Sequence, residues 1–502
     1  MSADYSTMIY TTEQVRHGER AAAEALDISM AQLMQRAAQA CLLAIQQQQP
    51  APARVLVLCG PGNNGGDGWV LARLAQQQGY QVQVAAAEPQ SPLAKDAAAA
   101  WHDLGQSSLA LDTLEDHHFQ AQDIVVDALL GSGLNRDLDG DILHAVELMN
   151  QATKRHSSWV LSVDVPTGLN SDTGQPQPTA VESHHTVTMV ALKVGLVTGL
   201  AVNYCGVIEL ADLGIAAAFY KQQPRLRVIG SHCAEHQLSP RLKASHKGNF
   251  GHLLIIAGGP GMSGAAVLAG QAALRCGVGK VSVACHPQSQ LAIAVQQPEL
   301  MVHVVTDDLQ PLLAKADVVV IGPGLGQSEW AHQLVSSVAR WHGPVVWDAD
   351  ALNRLAELTL TKPVESIWYM TPHPGEAARL LKTSTSEVNA DRLAALTKLC
   401  QNFQAQILLK GAGTLVQSGS QRWVCRRGSP ALASGGSGDV LSGIVGALIA
   451  QGVATDMVLP LAAWLHAVAG ELAARDGERG TLASDIIAEL RALVNPWQVI
   501  DK

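Results

Sequence analysis

Two α/β domains in tandem account for this sequence, and three observations lead there. The chain has 502 residues, too many for one ordinary domain. Apolar runs of strand length recur along it, each running into a loop rich in Gly, Asp, Asn or His. These runs form two series, separated by the polar, proline-containing and locally basic stretch KQQPRLRVIGSHCAEHQLSPRLKASHKG. The rhythm breaks near Pro224–Arg227, which gives domains 1–225 and 226–502. Strand, loop and helix in repetition are the signature of a doubly wound parallel sheet, whose ligands lie beyond the carboxyl ends of the strands.

Composition narrows the function. Apolar residues make up 47% of the chain, enough for sizeable cores, and charged residues only 16%, which argues against long disordered regions. A net charge of −10 excludes a general electrostatic binder of nucleic acid. It leaves room for a single anionic cofactor held by backbone N–H groups. The eight cysteines are scattered from Cys41 to Cys425 with no CxxC pair, which points to a reducing compartment without structural zinc. The first residues, MSADYSTMIYTTEQVRHGER, lack the apolar segment of a signal peptide. The longest apolar stretch, Val440 to Ala450, is too short to span a bilayer. The expectation is a cytoplasmic protein, and its Ala-rich helices suggest a homo-oligomer.

Residues from about Thr12 to Gln49 show helical spacing, with Ser29 a helix N-cap, and predict two helices packed on the domain behind them. The run Arg54–Cys59 is a strand buried on both faces. It enters GPGNNGGDG, residues 60–68, and then a helix. Gly60, Gly62 and Gly65 satisfy GxGxxG, with Glu88 after the second strand, so an ordinary dinucleotide fingerprint is one candidate. That fingerprint requires neither Asn63, Asn64 nor Asp67, whose oxygens beside exposed N–H groups suit a cation together with an anionic ligand. Lys193, after the apolar run Thr186–Leu192, is either a phosphate or proton partner or a solvated strand end. Two further strands end in acids, at Asp127 and Asp164, at the same sheet edge as the Asn63–Asp67 loop. Any one of these acids is ordinarily a turn or cap residue. Three strand ends meeting at one sheet edge make a pocket the better reading.

The second series has strands over 252–257, 280–285, 316–321, 344–347, 367–370 and 407–410. Their loops carry Gly258–Ala266, Gly322–Gly326, Asp348-Ala349-Asp350 with Asn353, Thr371–Glu376 and Gly411–Thr414. Gly435-Gly436-Ser437-Gly438-Asp439 then precedes an apolar run of helical length. A glycine turn there brings backbone N–H groups and the positive end of a helix to one point. Asp439 is either a cap or a base beside a bound phosphate.

In order, GPGNNGGDG, VVDALLGSGLNRD, VDVPTGLNSDTG and ALKVGL resemble the YjeF N-terminal domain, the NAD(P)H-hydrate epimerase, a Rossmann-like fold. That resemblance implies that Asn63, Asn64, Gly65, Gly66 and Asp67, with Gly131, Ser132, Gly133, Leu134, Asn135, Arg136 and Asp137, hold the hydrated dinucleotide. It further implies that Asn64, Asp127 and Thr167 bind K+, and that Asp164 contacts the substrate at the reacting carbon. Asp164 and Lys193 are the candidate proton carriers, with Asp164 preferred.

GGPGMSGA, TPHPGE, LKGAGT and ASGGSGDVLSGIVGALIAQG resemble the ribokinase-like fold, and more closely the YjeF C-terminal domain, the ADP- or ATP-dependent NAD(P)H-hydrate dehydratase. The implied roles are Asp439 as catalytic base, and Lys410, Gly411, Ala412, Gly413, Thr414 and Gly438 as nucleotide ligands. Ala265, Gly324, Asp350, Asn353 and His373 would line the substrate site. Relatives of ribokinase place Mg2+ with an NxxE motif; here His373 stands at the Asn position and Glu376 at the acid position. The substrates implied are NADHX and NADPHX with ADP or ATP. Two other readings remain at this point: a vitamin or sugar kinase of the same fold, and a non-catalytic binding module in the first half.

Overall fold

The computed structural model describes residues 5–87, 95–104, 108–121, 123–134, 136–306, 308–358 and 362–495. Glu88 and Asn135 lie outside the described residues. The chain divides into two compact units, Met1–Arg227 and Val228–Lys502.

The first unit is built on seven parallel strands. In spatial order they are Leu109–Ala110, Gln81–Ala86, Arg54–Cys59, Ile124–Ala128, Trp159–Val163, His185–Met189 and Val207–Ala211. The order runs outward in both directions from Arg54–Cys59 and Ile124–Ala128, so the crevice between those two strand ends is the topological switch point. Val55 to Cys59 and Ile124 to Val126 are buried, as a central parallel strand requires. The expected N-terminal helices are Thr12–Ala25 and Met30–Gln48, the second started by a Ser29–Gln32 capping box.

One expectation fails here. The run Thr186–Leu192 is not a single strand: it stops at Met189, Val190 adopts a left-handed φ of 68°, and Leu192–Lys193 pairs separately with Ile9 and Tyr10. The break carries Lys193 back into the unit instead of out at a solvated strand end.

The second unit has nine strands ordered Met301–Val304, Lys280–Cys285, His252–Ile256, Val318–Ile321, Val345–Trp347, Trp368–Met370, Gln406–Leu409, Thr414–Ser418 and Gln421–Cys425. The first seven are parallel, and the last two form an antiparallel extension. Sequence reading finds neither the Met301–Val304 edge nor this hairpin. Its switch point lies between His252–Ile256 and Val318–Ile321, where Gly324 and Ala265 meet: a Cβ on Gly324 would stand 2.8 Å from Ala265 Cβ. The Ser437–Ala450 helix is buried along almost its whole length and shares the core with Leu253, Val320 and Ala269.

Candidate active sites

In the first unit a cavity of about 500 Å³ opens at the switch point. Its floor is the glycine loop. A Cβ on Gly65 would lie 1.9 Å from the Gly60 carbonyl oxygen, so only glycine lets the Asn63–Gln77 helix start so close to its strand. Gly66 does not offer its N–H to a ligand, because it donates to Gly62 O at 3.1 Å. Asn63, Asn64, Asp67, Gly131, Ser132, Gly133, Leu134, Arg136, Asp164 and Lys193 all line the cavity. Asp137 is exposed and lies outside that lining. The Asn64 amide is buried, and its Nδ2 has no partner among the described residues. Asn64 Oδ1 and Asp164 Oδ2 converge beside Gly131, at 3.0 and 3.2 Å from where its Cβ would be.

Asp164 sits just past the end of its strand with a φ of 67°. It accepts from Lys193 Nζ at 2.5 Å, from the Ser132 N–H at 3.2 Å and from the Met189 N–H at 3.3 Å. Burial alone would raise its carboxyl, but the Lys193 ammonium and these hydrogen bonds outweigh burial and hold it below its ordinary value. Lys193 is 1% exposed and spends its other two protons on Thr188 Oγ1 and Met189 O, at 3.0 and 2.9 Å.

Asp127 lies beneath the cavity, not on it. Its carboxylate accepts from Thr167 Oγ1 at 2.6 Å, the Thr167 N–H at 2.8 Å, Ser162 Oγ at 2.7 Å and the Leu129 N–H at 3.3 Å. Burial pushes this carboxyl up despite those donors, and among the described residues no basic side chain pairs with it. A buried carboxylate without a counter-charge, beside the Thr167 hydroxyl and the Leu130 carbonyl, is an oxygen donor set that fits a hard monovalent cation.

In the second unit the chemistry gathers at the head of the Ser437–Ala450 helix. Gly436 takes a φ of 88° to make the turn, and Asp439 falls in the first helical turn. The turn is held from behind by His466, whose ring Nε2 lies 3.0 Å from Ser437 Oγ and 2.9 Å from Ser437 O. Burial and the neighbouring Asp348 raise the Asp439 carboxyl to about 7, against the lowering pull of Lys410.

Asp348, which sequence reading passed over for Asp350, is the hub. It is 1% exposed and accepts from Lys410 Nζ at 2.9 Å, Thr371 Oγ1 at 2.9 Å and Ser442 Oγ at 2.7 Å. Lys410 Nζ also lies 3.8 Å from Glu376 and would be 3.4 Å from a Cβ on Gly438. Burial opposes its charge, but Asp348 and Glu376 prevail and raise it.

The remaining candidates are more committed to structure than the sequence suggests. Asp350 accepts from the Gly326 N–H at 2.7 Å and Gln327 Nε2 at 3.0 Å, which ties it to the loop of Gly324. Asn353 accepts from Arg379 at 2.7 Å. His373 caps the Pro374–Leu381 helix through Nδ1, 3.0 Å from the Gly375 nitrogen, and Glu376 returns the favour to the His373 N–H at 2.8 Å. Only the Nε2 edge of His373 is left, 3.3 Å from Glu376 Oε1. Thr414 Oγ1 donates to Gly411 O and opens a strand, so it belongs to the hairpin as much as to the loop. Among the described residues no three His, Cys, Asp or Glu side chains gather as a metal site. Glu376, at the acid position of the motif, accepts from the His373 N–H and lies 3.8 Å from Lys410 Nζ.

Residues 30–195 match the family described as YjeF-related protein N-terminus, and residues 253–492 match NAD(P)H-hydrate dehydratase. The bifunctional NAD(P)H-hydrate repair enzyme of Coxiella burnetii is 42% identical over 98% of this chain and all of its own length. This chain belongs to that family. The Escherichia coli repair enzyme is 39% identical over 98% of this chain and 95% of its own. Among solved structures, a ribokinase-like superfamily protein from Enterococcus faecalis is 26% identical with a TM-score of 0.51, covering 54% of this chain and 96% of its own. The two matches fall one in each of the two units. All eight cysteines are free, and among the described residues no helix is long and apolar enough to cross a membrane.

Proposed function

We infer that the two sites divide one repair task on hydrated nicotinamide cofactors. The first unit interconverts the C6 epimers of NADHX and NADPHX, and the second dehydrates the S epimer with ADP or ATP. The observation that carries the second assignment is the Asp439–Lys410–Asp348 cluster at the head of a buried helix. A carboxyl poised near neutrality is a base that can take a proton from a hydroxyl at cellular pH. The helix N-terminus and Lys410 supply positive potential where a phosphoryl group would transfer.

In this reading Asp439 takes the proton of the C6 hydroxyl, whose oxygen attacks the terminal phosphoryl group of the nucleotide. One P–O bond forms as another breaks. The ring nitrogen then expels phosphate from C6, C5 loses a proton, and the dihydronicotinamide is restored. Mg2+, when bound, neutralises charge on the transferring phosphate. Gly411–Thr414 would border the nucleotide, and Ala265, Gly324, Asp350 and His373 the dinucleotide. In the first unit Asn64, Asp127 and Thr167 would hold K+ through their oxygens, and the ion would supply positive charge to the site. The free cysteines suit a cytoplasmic enzyme, and Leu291 and Val295, 75% and 73% exposed four residues apart on one helix, suit a homo-oligomer.

The test is incubation of mixed NADHX epimers with the protein, Mg2+ and either nucleotide. Complete recovery of reduced cofactor with release of inorganic phosphate is expected. A stable phosphorylated product would instead identify a kinase.

A further inference from the structure

Besides Asp164 and Lys193, two carboxyl groups line the first cavity: Asp67, from the first turns of the glycine-loop helix, and Glu19, from the Thr12–Ala25 helix. That helix is fixed at its start and at its middle. A capping box joins Thr11 and Gln14, with the Thr11 N–H donating to Gln14 Oε1 at 3.0 Å. Farther along, Gly18 lies so close to the Ala216–Phe219 helix that a Cβ would stand 2.7 Å from the Phe219 ring. Val15, Ala22 and Ala23 are its buried positions, and Glu19 lies on the same face, four residues from one and three from the next. A charge on the inward face of a packed helix needs a reason.

The groups already assigned leave a role open. Lys193 donates all three of its ammonium protons within the wall, and Asp164 is the carboxylate that holds it. Neither has a proton to exchange without breaking their pair. The Glu19 and Asp67 side chains make no hydrogen bond or ion pair among the described residues. Burial raises both carboxyls. Asp164 and Glu19 push Asp67 further up, whereas Lys193 pulls Glu19 back down against Asp164. Arg16 and Arg136 are the other charged groups lining the cavity. Glu19, which enters the cavity from the inward face of a separate packed helix and has no partner of its own, is placed to give a proton and take it back.

We propose that Glu19 is the catalytic acid and base of the epimerisation. The proposal rests on the reading of this cavity as the hydrate-epimerising site. The Glu19 carboxyl protonates the C6 hydroxyl, the C6–O bond breaks with the ring-nitrogen lone pair, and water leaves. An iminium and a Glu19 carboxylate remain. Water then adds to the other face of C6 and returns a proton to Glu19, so the enzyme is unchanged and the substrate has inverted. The carboxylates of Asp164 and Glu19 flank the transient positive charge, as electrostatic stabilisation requires.

The experiment uses the full-length enzyme without nucleotide, which silences dehydration. Purified R or S NADHX is followed to its epimer by chromatography, with the protein-free rate subtracted. Glu19→Gln should lower the enzymatic rate about 100-fold or more while hydrate binding changes by less than about threefold. Dehydration of the S epimer by the same variant should be unchanged. The wild-type rate should fall as rising pH strips the proton from Glu19, and the residual rate of Glu19→Gln should lose that inflection. Glu19→Asp should keep an inflection at reduced rate, and it decides the matter if Glu19→Gln fails to fold. A Glu19→Gln rate within about threefold of wild type, or a Glu19→Asp profile without an inflection, overturns the proposal but leaves the epimerase reading standing. A wild-type enzyme no faster than buffer overturns both.

Discussion

The pH dependence of the dehydratase is set by what surrounds Asp439. Its carboxyl stands at about 7, against an ordinary value of 3.8, because it is buried and faces Asp348. At pH 6 about one enzyme molecule in eleven carries the ionised base, and at pH 8 about ten in eleven, so kcat/KM should rise about tenfold over that interval. An ordinary carboxyl would be ionised throughout and give a flat profile. The sign of the neighbours gives a second, sharper check. Asp348→Asn removes the negative charge that raises Asp439 and releases Lys410, which lowers it. The inflection should therefore move to lower pH by about one unit, or ~1.4 kcal/mol. The assay is phosphate release and recovery of reduced cofactor from the purified S epimer between about pH 5.5 and 8.5, with a thermal melt to show that the variant is folded. A flat wild-type profile, or an inflection that stays put or moves up in folded Asp348→Asn, would refute the assignment of Asp439 as a base tuned by Asp348.

Three other outcomes follow from the same contacts. Gly65→Ala drives a Cβ against the Gly60 carbonyl and should destabilise the first unit by more than ~3 kcal/mol in urea unfolding, abolishing epimerisation but sparing dehydration. Gly436→Ala places an L-residue at a φ of 88° and should cost ~1–2 kcal/mol and slow dehydration only, as separate assays of the two activities would show. Asp127→Asn turns one buried acceptor into a donor facing Thr167 or Ser162; it should cost ~1–3 kcal/mol and remove any advantage of K+ over Na+ in the epimerase rate.

Both sheets are legible in the sequence because their central strands are continuous apolar runs such as Val55–Cys59 and Val318–Ile321, a pattern with few other uses. Gly258–Asp439 likewise announces its loops. What escapes is whatever depends on the direction a side chain takes at a strand end. Asp348 and Asp350 read alike, two residues apart; only Asp348 turns under the sheet edge toward Lys410, while Asp350 ties down Gly326. His373 looks free for substrate until its Nδ1 is found capping a helix. Thr186–Leu192 reads as one strand because nothing apolar marks the turn at Val190. Glu19, which lines the first cavity, is legible as well. It shares a helical face with Val15 and Ala22, and an acid among apolar neighbours at that spacing is visible without coordinates.

Three neighbouring strand ends in the first unit, at Asp164, Val190 and Leu213, carry left-handed φ values of 67°, 68° and 52° on residues that disfavour them, and all three line the cavity. Each costs the fold ~1–3 kcal/mol, most plainly at β-branched Val190. Stability is therefore held in reserve around this cavity. A laboratory selection that rewarded melting temperature alone would drift toward Gly or Asn at 190 and 213. Gly or Asn holds the same left-handed bend at less cost, so the path that aims Lys193 at Asp164 would survive in the sturdier protein.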